Sequence, residues 1–248
     1  MKKLLIGGVV VLTIFLIYLT TIDKKVYYLA LGDSIALGVN PYNAVDYGYT
    51  DYIKDYLEEK NVLERYVHEY ATSGYRVTDV LRDIEDNKKT NVNNKEITLK
   101  NALIKADLVT LSIGMNDFLS NFDFGNFVSQ VETYKTYEYI DEIIDDLEDL
   151  LELMRSYCKE DIIVIGYYNP LPRLTINQEE MMDSIFSYID EKYKSTCDEY
   201  DIMYVSLYDL FKKNQDFLPN PLNIHPSKQG YEAISKLVIE KIENTLLK

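Results

Sequence analysis

Two residue types that build metal sites are scarce in this chain: 248 residues include only two cysteines, Cys158 and Cys197, and two histidines, His68 and His225. The cysteines lack metal-type spacing and the histidines lie far apart, which argues against a structural zinc site. Basic residues are also few. Lys and Arg number 26 against 41 Asp and Glu, a net charge of -15. Nucleic acid, whose phosphates need cationic partners, is a poor match, and so is tight electrostatic docking on anionic lipid. A glycine-rich phosphate loop is missing, which speaks against a phosphate-binding module. Tryptophan is absent; the 23 tyrosines decide nothing about substrate. No internal repeat or internal linker is visible.

What is present fits one domain with a substantial core, at 47% hydrophobic and 27% charged residues. The Asn/Lys-rich stretch Asn87–Lys95 is the one candidate for disorder. At the N-terminus, Lys2 and Lys3 precede the uncharged run Leu4–Ile22. Its roughly 19 residues, at ~1.5 Å each, are just long enough to span a bilayer core. An Ala-x-Ala cleavage pattern and a lipobox cysteine are both lacking, so the expectation is an uncleaved membrane anchor over 1–23 and a domain over 24–248. The positive flank should stay cytoplasmic, which places the domain outside. Cleavage at an unobvious site, giving a secreted protein, is the alternative.

Five short apolar runs, near 26–31, 65–71, 107–113, 162–168 and 201–206, alternate with helical patterns near 47–60, 75–86, 97–105, 134–158, 178–198 and 228–247. The longest helix shows its face in Ile140, Ile143, Ile144, Leu147, Leu150, Leu151 and Met154, with carboxylates between. Such alternation implies a right-handed α/β/α sandwich around a parallel sheet.

Polar motifs stand at the ends of these strands. Gly32-Asp33-Ser34 follows Val26–Leu31, and Ala71-Thr72-Ser73-Gly74 follows Val67–Tyr70. Gly114-Met115-Asn116-Asp117 follows Asp107–Ile113, and His225-Pro226-Ser227 precedes the last helix. Ligand sites of open α/β sheets lie outside the carboxyl ends of the strands. Serine, glycine, asparagine and histidine in that order resemble the SGNH (GDSL) family of serine esterases and acylhydrolases, over roughly residues 26–245. Gly166-Tyr167-Tyr168-Asn169-Pro170 adds a likeness to its bacterial lysophospholipase-like members. The resemblance implies a flavodoxin-like five-stranded parallel sheet of order 2-1-3-4-5.

Ester cleavage needs a nucleophile, a base and donors for an oxyanion. Ser34 is the candidate nucleophile. His225 is the candidate base, since His68 alternates within a strand and reads as structural. The resemblance makes the backbone N–H groups of Ser34 and Gly74 and the side-chain amide of Asn116 the oxyanion donors. Gly74, without a Cβ, would let an oxyanion approach closely. Asp33 and Asp117 read as braces of their loops, and Ser227 as a helix N-cap.

The chain departs from the family at the triad acid, which the family places three residues before the histidine. Here that position is Leu222. Asn223 could orient the imidazole through its side-chain oxygen, a backbone carbonyl could do so, or Asp216 could fold back. A neutral partner stabilises the imidazolium less, so two readings stand. One is a serine esterase acting through an acyl-enzyme on lysophospholipid, short acyl esters or O-acetyl glycans. The other is a catalytically weak or inactive binding protein on the same fold. Neither needs a metal or organic cofactor. Phe118 and Phe122, with Phe124 and Phe127, either line an acyl pocket or seal the core. Cys158 and Cys197 end helices on one face of the sheet in this strand order, and a disulfide between them is expected in an oxidising compartment.

Overall fold

The structure is a computed structural model, and it describes residues 25–120, 133–170 and 176–247. Strand β1 (Val26–Gly32) is buried along its whole length, which explains its unbroken apolar run. Short helix α1 (Ser34–Leu37) and helix α2 (Tyr49–Glu59) lead to β2 (Leu63–Ala71). Helix α3 (Val77–Glu85), the strands β3 (Lys89–Val92) and β4 (Lys95–Thr98), and helix α4 (Leu99–Lys105) lead to β5 (Leu108–Ser112). Next come α5 (Met115–Ser120), α6 (Thr133–Tyr157), β6 (Asp161–Ile165), α7 (Ile176–Glu199) and β7 (Met203–Val205). Helix α8 (Tyr208–Lys213), the 3-10 turn Gln215–Phe217 and helix α9 (Lys228–Asn244) close the described fold.

The main sheet has five parallel strands in the order β2-β1-β5-β6-β7. Numbered within that sheet, this is 2-1-3-4-5, the flavodoxin-like arrangement expected. Side chains alternate across it. Tyr27, Leu29 and Leu31 face one layer with Val80, Leu103, Leu147 and Ile185. Val26, Tyr28 and Ala30 face the other with Ile53, Leu57, Ile234 and Val238. In α9, Tyr231, Ile234, Val238 and Ile242 recur at helical spacing and are all buried. Each such aliphatic side chain contributes about 1.5–3 kcal/mol by leaving water. Ser227 caps this helix, its hydroxyl accepting from the Gly230 N–H at 3.2 Å.

Three expectations need correction or limits. The stretch Asn87–Lys95 is ordered: β3 and β4 pair antiparallel. Asn93 and Asn94 both take positive φ, 51° and 62°, a turn that asparagine tolerates better than most side chains. The expected disulfide is absent, because Cys158 and Cys197 are free and buried. Both pack into the same apolar layer as separate core side chains. The Cys158 thiol lies 3.9 Å from the carbonyl oxygens of Ala106 and Glu160. The segment Leu4–Ile22 falls outside the described residues. Among the described residues, no helix is long and apolar enough to cross a membrane.

Candidate active site

Strand register assembles the site. Gly32 pairs with Ala71 on one side and Ser112 on the other. The three strands therefore end level, and the segments after them share one edge. Gly32 takes φ +124°, and a Cβ there would meet the Ser112 carbonyl oxygen at 1.9 Å. Only glycine lets β1 close on β5 at this point and turn toward Ser34.

Asp33 starts that turn. Its carboxylate accepts from the Ile35 N–H at 2.9 Å and from the Ser112 hydroxyl at 3.3 Å. It is the N-cap of α1 and holds Ser34 at the helix start. Burial raises its pKa to about 7, against the lowering effect of those hydrogen bonds. Ser34 is itself buried, 3% exposed.

The second and third segments are laced together. Gly74 takes φ +84°, and a Cβ there would meet nothing within 4 Å, so the residue faces open space. Its N–H has no hydrogen bond among the described residues. Asn116 donates one amide hydrogen to the Tyr75 carbonyl at 2.8 Å. Asp117 accepts from the Val77 N–H at 3.1 Å, and burial raises its pKa to about 6. Asp117 thus ties the turn after β5 to the turn after β2, the bracing role expected of it.

His225 arrives from the far end of the chain. The Tyr168 hydroxyl donates to the Ile224 carbonyl at 2.7 Å, and the Ser227 N–H donates to the Phe217 carbonyl at 2.7 Å. So fixed, His225 Nε2 lies 2.8 Å from Ser34 Oγ. Its Nδ1 lies 2.6 Å from Asn223 Oδ1. The His225 backbone N–H also donates to Asn223 Oδ1, at 2.9 Å. A backbone N–H can only donate, so the amide atom facing the histidine is oxygen. An oxygen there requires a proton on Nδ1, which leaves Nε2 unprotonated toward Ser34. Burial lowers the His225 pKa to about 4, so the ring is neutral at ordinary pH.

The partner of Nδ1 is therefore Asn223 rather than Asp216. Leu222, in the position of the family's acid, is 86% exposed. Phe118 is 1% exposed and meets Phe186 edge-on at 5.6 Å, so it seals the core rather than lining a pocket. Phe122, Phe124 and Phe127 lie outside the described residues. His68 stacks on Tyr66 at 4.9 Å within β2, away from Ser34 on the chain's edge strand. Sequence reasoning missed Asn43, whose Oδ1 accepts from Asn223 Nδ2 at 2.7 Å. A polar loop residue 180 positions away carries no local signal of that contact. It also assigned no role to Tyr168, although the motif containing it was visible.

Comparisons with known proteins bear on the family and the fold. A family model described as GDSL-like lipase/acylhydrolase matches residues 30–233. The spore germination lipase LipC of Bacillus licheniformis is 23% identical over 214 residues, spanning 84% of this chain and 92% of that protein. The lipase Lip_vut3 from a goat rumen metagenome has a TM-score of 0.67 at 21% identity, over 86% of this chain and 95% of that one. Axe2, an acetylxylan esterase from Geobacillus stearothermophilus, has a TM-score of 0.62 at 20% identity, over 89% and 95%. Axe2 catalytic mutants with a serine, a histidine or an aspartate replaced by alanine share the fold as well. At such identities the structural likeness shows the fold, while the family match spans most of the sequence: the chain belongs to the GDSL-like lipase/acylhydrolase family and is a carboxylic ester hydrolase.

Proposed function

We propose that the protein hydrolyses its ester through an acyl-enzyme on Ser34. The contact of Ser34 Oγ with His225 Nε2, at 2.8 Å, carries this reading. Ser34 Oγ attacks the ester carbonyl carbon while Nε2 takes the hydroxyl proton. The oxyanion that forms is held by the N–H groups of Ser34 and Gly74 and by the Asn116 amide hydrogen not bound to Tyr75. Collapse breaks the bond to the leaving oxygen, and His225 returns the proton to it as the alcohol departs. Water then attacks the acyl-serine, giving a proton to His225, and the acid leaves as Ser34 is regenerated. Asn223 keeps Nδ1–H pointed at an acceptor throughout and supports the imidazolium formed at each attack. These groups supply nucleophile, base and oxyanion donors without a cofactor.

The substrate class is a carboxylic ester with a short or medium acyl group, drawn from lysophospholipids, small acyl esters and O-acetylated glycans. LipC, named a lipase, and Axe2, named an acetylxylan esterase, support that range. The missing acid, which favoured an inactive binding protein, is offset by the amide oxygen at Nδ1. The run Leu4–Ile22 behind Lys2 and Lys3 supports a membrane-anchored enzyme with an extracytoplasmic domain. Membrane fractionation with protease accessibility on intact cells tests that placement; a protected or fully soluble domain refutes it. For the chemistry, a fluorophosphonate probe should label the protein and Ser34→Ala should not. An ester panel from acetylated xylan to lysophosphatidylcholine, read by acyl-enzyme mass, then ranks substrates. Full labelling of Ser34→Ala refutes the assignment.

A further inference from the structure

We infer that Asn43 is a positioning residue for the esterase reaction, the fourth member of a hydrogen-bonded chain Ser34–His225–Asn223–Asn43. The inference rests on the acyl-enzyme reading above. The chain of contacts is continuous: 2.8 Å from Ser34 Oγ to His225 Nε2, 2.6 Å from Nδ1 to Asn223 Oδ1, and 2.7 Å from Asn223 Nδ2 to Asn43 Oδ1.

Asn223 is only half-buried, and it occupies the role that a carboxylate fills elsewhere. An amide has one oxygen, so its orientation decides whether it helps or opposes the base. Turned over, it would set Nδ2 against the donors Nδ1–H and N–H of His225, and Oδ1 against Asn43 Oδ1. The His225 backbone N–H opposes the flip at the inner end, and Asn43 Oδ1 matches the unflipped amide at the outer end. By accepting from Nδ2 it also polarises the amide, which makes Oδ1 a better acceptor from Nδ1.

The loop that carries Asn43 is built to hold it. Val39 and Val45 form an antiparallel bridge. The Asn40 side-chain oxygen accepts from the Tyr42 N–H at 2.9 Å and the Ala44 N–H at 3.2 Å. The Asn43 N–H donates to the Asn40 carbonyl at 3.0 Å, with Asn43 itself at φ 61°. A second tie runs to the histidine loop, where Asn220 Nδ2 donates to the Pro41 carbonyl at 2.8 Å. Two ties, from Pro41 and Asn43 to Asn220 and Asn223, set the register of one loop on the other. The loop leaving the nucleophile helix thereby orients the support of the base.

The positive φ suggests the variants. Asn43→Gly deletes the side chain and keeps the backbone at ease. Asn43→Asp keeps an acceptor toward Asn223, tolerates the same φ, and adds charge. A simple tie between loops would respond to both only through stability. A positioning role moves the base in opposite directions. The charged residues nearest in sequence to members of the chain are Asp33 before Ser34, Asp46 in the Asn43 loop, Asp216 in the 3-10 turn and Lys228 at the start of α9. They are common to all variants, so they do not account for a difference.

The test measures kcat, KM and the acidic limb of kcat/KM on p-nitrophenyl acetate, with melting temperature alongside, in the full-length chain. Loss of one net hydrogen bond should lower kcat of Asn43→Gly about three- to tenfold with KM unchanged. Its acidic limb should move to lower pH, because the imidazolium loses support. Asn43→Asp should keep or raise kcat, with the limb at higher pH. Unchanged kcat and limb in both variants overturns the inference, and so does a parallel loss in both that follows melting temperature. Turnover that survives Ser34→Ala overturns the acyl-enzyme reading itself, and the inference with it; silence of Asn43 variants in a Ser34-dependent enzyme overturns the inference alone.

Discussion

Replacing Asn223 with aspartate should make this enzyme faster, and the structure bounds by how much. In a serine protease, the reverse change from aspartate to asparagine costs about 10⁴ in rate, largely because the amide selects the wrong histidine tautomer. That penalty is absent here. Asn223 Oδ1 faces Nδ1 at 2.6 Å, so the tautomer already suits a base. What Asn223→Asp adds is charge. A carboxylate and an imidazolium about 4 Å apart attract by roughly 1 kcal/mol in water and roughly 4 kcal/mol at an effective dielectric of ~20. The pair is half-buried, so the value lies between. Against it stands the lost donation from Asn223 Nδ2 to Asn43, worth about 1 kcal/mol until the Asn43 amide turns to donate. The balance is roughly 1–2 kcal/mol, or about tenfold in kcat/KM. The same stabilisation should raise the His225 pKa from about 4 by about one unit. In the proposed mechanism the neutral ring is the active base, so the acidic limb of the rate profile should move up in pH by that amount. Steady-state hydrolysis of p-nitrophenyl acetate across the acidic range reads both effects. An unchanged or lower kcat/KM, with the limb unmoved and the fold intact, would refute the role given to Asn223.

Leu222→Asp restores an acid at the family's position, yet Leu222 is 86% exposed, so turnover should change less than twofold; a gain matching that of Asn223→Asp would show that the loop rearranges. Asn116→Ala removes one proposed oxyanion donor and should lower kcat about 10²–10³-fold with little effect on KM, whereas an unchanged kcat would leave Asn116 only its bond to Tyr75. Burial pushes the Cys158 thiol up and the Cys197 thiol to about 12, so neither should react with a thiol reagent in the native protein; mass analysis under non-reducing conditions should find two free thiols after unfolding, and a two-dalton deficit would restore the disulfide.

Much of this molecule is legible along the chain because its strands are buried on both faces and stop abruptly. Val26–Leu31 and Asp107–Ile113 announce themselves as apolar runs, and polar motifs stand where the runs end. The alternation of strand and helix then restricts the sheet to parallel arrangements with ligands at one edge. The braces Asp33 and Asp117 and the cap Ser227 are equally local, since each acts on its own turn or on the one beside it. Other features depend on which surfaces meet. The Asn/Lys-rich stretch looks too polar to order, but Tyr70 donates to the Ile97 carbonyl at 2.7 Å and Leu99 packs in the core, so β2 and the sheet hold the hairpin in place. Phe118 reads as either pocket or core until Phe186 arrives from another helix to cover it. The cysteines share one core layer, yet they are free and buried as separate side chains. Above all, the support of the base was open among Asn223, a carbonyl and Asp216. Hydrogen bonds have a reach of about 3 Å, and no local pattern brings Asn43 to Asn223 or Ser34 to His225. The sequence by itself therefore determined the layers, the edge and the Gly32-Asp33-Ser34 turn. Only the packing of segments some 180–190 residues apart decided how the histidine is oriented and what holds it there.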